Sequence, residues 1–280
     1  MSHPTSLAAS WSPVLAGGDD PLSHVLPHEL TFSWAKFGDY TLTNHLFMLV
    51  VSALLLLIVM PLAARSRGLV PKGFSNLIEA VLQYLREDMV RPVLGELTDK
   101  FIPFIWTMFF LILTSNLLGM IPLGAFAAPI DVHLKHIGGT ATGNLSITAG
   151  LAICSFILIH VTGLKVQGPA NYGKTFLGHA PVWLAPLMVP LEVVAAIVKP
   201  FALAIRLFAN MIAGHVVIAV LLGFAIYGLS QVGPGLGLTI ALPSALGVVF
   251  ISLLELLVAF LQAYIFTFLS TLFIGMAIEH

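Results

Sequence analysis

The sequence predicts an all-α integral membrane protein. About five transmembrane helices are expected, with an amphipathic helix on the cytoplasmic surface. The last two segments should be long apolar neighbours, antiparallel across a short turn. Three observations predict this. The 280 residues are 58% hydrophobic and 9% charged, whereas a soluble domain carries about 25% charged residues; so little charge cannot cover a water-facing surface. Apolar stretches long enough to cross a bilayer, about 20 residues each, recur between polar turns. The final hundred residues hold two apolar runs far longer than one crossing needs. A net charge of −1, from 12 basic and 13 acidic residues, gives no basic surface for nucleic acid. The single cysteine, Cys154, excludes a disulfide framework or a cysteine metal site within the chain.

Taken in order, residues 1–40 are rich in Pro, His and Gly and read as an external arm with at most a short surface helix. They lack the basic start and long apolar core of a cleaved leader, so insertion is expected to rely on the first span, residues 45–64. Arg65, Arg67 and Lys72 follow that span, against Asp19, Asp20, Glu29, Lys36 and Asp39 before it. The positive-inside rule then puts the N-terminus outside and residue 65 in the cytoplasm. Across residues 72–91, Phe74, Leu77, Ile78, Val81, Leu82, Leu85 and Met89 recur at helical spacing, with Glu79, Gln83, Arg86 and Glu87 opposite. That pattern predicts a helix lying in the cytoplasmic interface. Pro71 suits its first turn, and Arg91-Pro92 should end it. Residues 101–123 form a second span and 145–164 a third; the loop between, with Asp131, His133, Lys135 and His136, falls outside. Lys165 and Lys174 return the chain to the cytoplasm. Residues 182–227 would run roughly 69 Å as helix across a hydrocarbon core of about 30 Å. Either two spans hinge near Lys199-Pro200 or one helix lies steeply tilted, and residues 237–278 pose the same choice.

Ionisable groups inside a membrane are costly and by default functional. Glu192, Lys199 and Arg206 stand seven residues apart, a spacing that drifts only about 20° per step around a helix, and Asn210 follows one turn later. Glu255 and Gln262 share a face in the last segment. An antiparallel pairing that sets Arg206 beside Gln262 also sets His215 near Glu255. On a straight helix, however, Arg206 and His215 lie about 180° apart, so the helix must bend or the two must serve different cavities. Their chemistry differs as well. Arg206 keeps its proton and offers a fixed fork to a carboxylate; His215 titrates near neutrality; Glu192 and Glu255 can exchange protons where water reaches them; Asn210 and Gln262 can hold a water or orient the guanidinium. Lys199 reads as a hinge or interface anchor, and Ser115 and Asn116 as packing groups.

The run from Lys199 to His215, KPFALAIRLFANMIAGH, resembles the signature of subunit a of F-type ATP synthases. The stretch from Leu256 to Ser270, with Gln262-Ala263-Tyr264-Ile265-Phe266, resembles that family's last helix, and Asn116-Leu117-Leu118-Gly119-Met120-Ile121-Pro122 its second-span motif. The likeness extends over roughly residues 45–278. It implies an ion-translocating stator subunit in a bacterial inner membrane. The last two helices, long and strongly tilted as an antiparallel hairpin, would lie against a rotating proteolipid c-ring, b subunits of the peripheral stalk would be further partners, and two offset aqueous half-channels would reach the ring. Arg206 would be the essential gate facing the ring's carboxylates, with Glu192, Asn210, His215, Glu255 and Gln262 along the ion route. Many bacterial members of that family carry Glu where His215 stands and His where Glu255 stands; this chain has the exchanged order, as mitochondrial members do.

The resemblance implies no cofactor and no nucleotide bound by this chain itself. Gly168-Pro169-Ala170-Asn171-Tyr172-Gly173-Lys174-Thr175 fits the phosphate-loop pattern letter for letter, but that motif needs a strand before it and a βαβ core; here apolar spans flank it. Asp131, His133 and His136 offer too few fixed ligands for a metal. No H-E-x-x-H or G-x-S-x-G run marks a hydrolase. The sequon Asn144-Leu145-Ser146 matters only in a glycosylating compartment. Two competing readings remain: a self-contained secondary transporter, which would show inverted repeats and broken half-helices, and a non-conducting scaffold, which leaves the aligned charges unexplained.

Overall fold

A computed structural model of the chain describes residues 36–37, 40–41, 43–64, 73–121, 140–169, 172, 184–231 and 234–278. Most of the expected external arm, the basic run Arg65 to Lys72, the loop with Asp131, His133, Lys135 and His136, and most of the Gly168–Thr175 run lie outside the described residues. Apart from a two-residue antiparallel ladder, β1 (Lys36–Phe37) with β2 (Tyr40–Thr41), the described residues are helical or connect helices. Among the described residues five helical stretches are long and apolar enough to cross a membrane.

The first, α1 (Asn44–Ala64), is apolar around its whole circumference and leaves Leu57, Ile58 and Leu62 exposed. Such a face suits lipid. Next comes α2 (Phe74–Tyr84), strongly amphipathic. Its Phe74, Leu77, Ile78 and Val81 line an apolar groove of about 540 Å³ shared with α1 and α4. The polar side continues into Arg86, which donates to Asp99 at 2.6 Å, and Arg91, which donates to Glu87 at 2.5 Å.

Arg91-Pro92 does not stop this helix. A π-helical turn, Leu85–Val90, passes into α3 (Arg91–Leu94), where Pro92 occupies the first turn. A proline is tolerated there because it owes no N–H to the preceding turn. The break comes at Gly95, with φ +53°, a left-handed conformation that favours glycine. A 3₁₀ turn (Gly95–Leu97) then leads into α4 (Thr98–Met120).

The core gathers around α4. Ile105, Phe109 and Ile112 are fully buried and belong to one apolar cluster with Leu203 and Leu207 of α6 and Phe266 and Ile274 of α7. Trp106 Nε1 donates to Leu82 O at 3.1 Å, tying α4 to the end of α2. A 3₁₀ turn (Ala141–Gly143) precedes α5 (Leu145–Gln167), whose N-cap is Asn144: its side chain accepts from Ser146 N at 2.8 Å. The sequon asparagine thus serves as a helix cap.

The last two elements are α6 (Ala185–Gln231) and α7 (Pro234–Ile278), of 47 and 45 residues. The chain does not hinge at Lys199-Pro200: Pro190 and Pro200 are both carried inside α6, as membrane helices permit when neighbours re-satisfy the backbone. Much of the Gly/Pro-rich connection is itself helical, with Pro234 at the first position of α7. These two helices make the most extensive contact among the described elements. At about 1.5 Å per residue each is near 70 Å long, more than twice the hydrocarbon thickness, about 30 Å. A helix of that length must tilt steeply or project from the bilayer.

Candidate functional site

The polar residues of α6 divide between two faces. Arg206 is exposed, and so are Ala202, Ile205, Ala209 and Ala213 around it. Among the described residues Arg206 makes no salt bridge. Helical periodicity carries the chain half a turn round by His215, which faces α7. There its Nδ1 lies 3.5 Å from Glu255 Oε1, and Glu255 is 5% exposed. Of the two possibilities the spacing left open, separate faces is the one adopted. Gly214 makes the approach of Glu255 possible: a Cβ there would stand 2.8 Å from Glu255 Oε1.

The other candidates fall around these two centres. Gln262 is 4% exposed, and its Nε2 is a buried donor without a hydrogen-bond partner among the described residues; the structure does not hydrogen-bond it to Arg206. Asn210 is half-buried one turn beyond Arg206. Glu192 pairs with Lys199 on its own helix at 3.7 Å, both side chains more than a third exposed. The Lys199 ammonium also sits 5.5 Å from the centre of the Phe273 ring, consistent with an anchor for the helix pair. The structure therefore brings His215 and Glu255 together, and keeps Arg206 and Glu192 apart from them.

A second polar group lies where α5 begins near α1. Its links cross long stretches of sequence. His45 Nδ1 is 2.8 Å from Thr140 O, and the Thr140 hydroxyl hydrogen-bonds His215 Nε2. The Thr142 hydroxyl donates to Asn116 Oδ1 at 2.6 Å, and Asn116 Nδ2 donates to Ala259 O at 3.3 Å, one turn beyond Glu255. Asn44, His45, Asn116, Thr140 and Thr142 are all buried. Asn116, read from sequence as a packing group, is a bridge between α7 and the segment entering α5. His45 and Thr140 drew no attention in the sequence. The available signal for His45 was an imidazole in the first turn of an apolar span, a costly placement.

At the other end of α5, His160 Nδ1 and the Tyr172 hydroxyl are 2.5 Å apart. Burial holds the Tyr172 phenol above its ordinary range, so it stays protonated. Among the described residues no group of three or more His, Cys, Asp or Glu side chains could hold a metal.

The family comparisons agree with one another. The model of the ATP synthase A chain family matches residues 45–275. An ATP synthase subunit a 2 from Chlorobaculum tepidum is 36% identical, covering 94% of this chain and 74% of the relative. ATP synthase subunit a from Chloroherpeton thalassium is 37% identical over 93% and 77%. That from Anaeromyxobacter dehalogenans is 41% identical over 88% and 60%. Five helices able to cross a membrane, the arginine-bearing long helix and this match over most of the chain meet in one conclusion: the protein is a membrane-embedded member of the ATP synthase A chain family, subunit a.

Proposed function

We propose that this chain is the ion-translocating stator subunit in the membrane sector of a rotary ATP synthase, acting within a complex and not as an enzyme by itself. One observation carries the reading. Arg206 stands exposed near the middle of a 47-residue apolar helix, and no carboxylate among the described residues pairs with it. A guanidinium placed at a bilayer centre costs about 2.5–3.5 kcal/mol on insertion scales, so an anionic partner from another chain would offset that cost. The exposed alanines 202, 209 and 213 give a packed helix close access to it.

On this reading the partner is a ring of proteolipid subunits, each bearing an ion-binding carboxylate, with b subunits of a peripheral stalk holding the chain still. Arg206 attracts each passing carboxylate in its ionised form, so the ion leaves before the carboxylate reaches it. Because the guanidinium does not deprotonate, it also blocks direct passage between two aqueous half-channels. One charge crossing the membrane potential yields about 2.3 kcal/mol per 100 mV, and that work drives rotation only if no ion bypasses the ring. The buried His215–Glu255 pair supplies exchangeable sites on the other face, and Gln262 Nε2, a buried donor needing water or a partner group, suits a wet cavity beside it. Glu192 and Asn210 lie on the stretches of α6 leading to and from Arg206. The favoured setting is a bacterial inner membrane, N-terminus outside and C-terminus cytoplasmic. A self-contained transporter would place discontinuous helices at its substrate site, whereas α6 and α7 run unbroken.

The test is Arg206→Ala in inverted membrane vesicles containing the assembled complex. ATP-driven acidification is expected to vanish while the complex still assembles; undiminished acidification would overturn the reading.

A further inference from the structure

Thr140 meets both histidines of the buried cluster. Its carbonyl oxygen lies 2.8 Å from His45 Nδ1, and its hydroxyl hydrogen-bonds His215 Nε2. Thr140 and His45 are each 2% exposed. A carbonyl only accepts, so His45 Nδ1 carries the hydrogen and fixes the Thr140 backbone as a donor would. From the other side, Thr140 is pressed against Gly119: a Cβ on residue 119 would stand 2.5 Å from its Cα, Cβ and Cγ2. The next residues are tied to α4 through Thr142 and Asn116. Threonine 140 is thus clamped in place, with its hydroxyl aimed at the imidazole whose other nitrogen faces Glu255 at 3.5 Å.

We propose that Thr140, held by His45 and Gly119, is a positioning residue for ion transfer that sets the tautomer and orientation of His215 toward Glu255. When the Thr140 hydroxyl donates to Nε2, the neutral ring carries its proton on Nδ1, facing the Glu255 carboxylate. A proton arriving at Nε2, with the Thr140 oxygen turning to accept that N–H instead of donating, makes the ring an imidazolium. Passage of the Nδ1 proton to Oε1 then leaves a neutral carboxyl and a neutral imidazole protonated at Nε2. A hydroxyl can donate and accept in turn because it holds one donor and two acceptor sites. A methyl in its place can do neither, though it fills the same volume. The second partner of a histidine selects which nitrogen bears the proton, and Thr140 occupies that place.

This inference rests on the ion-translocating reading above, and one set of vesicles separates the two. Membranes bearing the assembled complex are stripped of its soluble catalytic part, and passive proton flux is measured for Thr140→Val, Thr140→Ser and Arg206→Ala, with complex content checked by immunoblot. Thr140→Val, close to isosteric, is expected to lower flux about a hundredfold, the lower end for loss of an oriented acid–base partner. Thr140→Ser, which keeps the hydroxyl and loses packing, is expected to restore most of it. A purely structural role gives the opposite order, Val near wild type and Ser impaired, and that order overturns the proposal. His45→Gln, which keeps a donor toward the Thr140 carbonyl, should exceed His45→Leu; equal flux in the two removes the clamp from the account. Wild-type ATP-driven acidification by Arg206→Ala in unstripped vesicles would sink the stator reading itself. Its loss in Arg206→Ala alongside normal flux in Thr140→Val would sink only this inference.

Discussion

The two faces of α6 treat polar groups in opposite ways. On the face bearing Arg206 the guanidinium is exposed and makes no salt bridge among the described residues, with alanines 202, 209 and 213 near it. On the face bearing His215, ring nitrogens, hydroxyls and a carboxylate are buried and joined through Thr140 and Glu255. On the proposed reading Arg206 meets carboxylates that come and go and so is left unengaged by its own chain, whereas the groups around His215 pass protons along a fixed line and gain from burial and fixed orientation, because low dielectric strengthens every link. The difference is set by nine residues of one helix, half a turn out of phase.

The largest expected effect breaks the exposed face. Arg206→Ala should abolish ATP-driven acidification, and Arg206→Lys should fail to restore it fully, since an ammonium lacks the fixed fork and loses its proton more readily. The buried face comes next. Glu255→Gln, preserving shape, should cut acidification about a hundredfold, measured as fluorescence quenching in the same vesicles. Exchanging the pair, His215→Glu with Glu255→His, should recover much of that loss, because it retains one imidazole and one carboxylate at the same contact; no recovery would tie function to the order of the two. A smaller effect is expected from Gly119→Ala, whose methyl must displace Thr140. Overpacking of this kind costs about 1–3 kcal/mol, to be read as reduced heat stability of the complex in detergent together with reduced flux. The smallest is Glu192→Gln: its pair with Lys199 is more than a third exposed on both sides, and such pairs contribute about 0.2–1 kcal/mol. If Glu192 only anchors the helix, acidification rates should stay near wild type; a large fall would move it onto the ion route.

Much of the architecture was legible because bilayer chemistry leaves few choices. Unbroken apolar runs had to be helices, and the alignment that paired His215 with Glu255 followed from two helices joined by a short turn. Where local rules met tertiary context they gave way. Pro92 should have ended a helix, yet a π-helical turn before it and Gly95 after it moved the break three residues on. Periodicity could not choose between a hinge and a single helix at Pro200, because a proline's missing donor is compensated by neighbours that a linear pattern does not reveal. The site was half legible. Arg206, His215 and Glu255 announce themselves as charges in apolar surroundings. Thr140 does not: a threonine near a loop is unremarked until the fold brings it to a histidine 75 positions away. Gly119 belonged to a recognised motif, but its reason, room for Thr140, is visible only in three dimensions.

The central claim is that the Arg206 face of α6 meets a second chain. Cys154 is the only native cysteine, so in a Cys154→Ser background a single Ala209→Cys can be paired with a cysteine placed one turn from the proteolipid's carboxylate. Oxidation in native membranes should give a cross-linked product of the two subunits, and the same experiment at Ala204, buried at 1% exposure, should give none. Cross-linking from Ala204 and not from Ala209 would contradict the account.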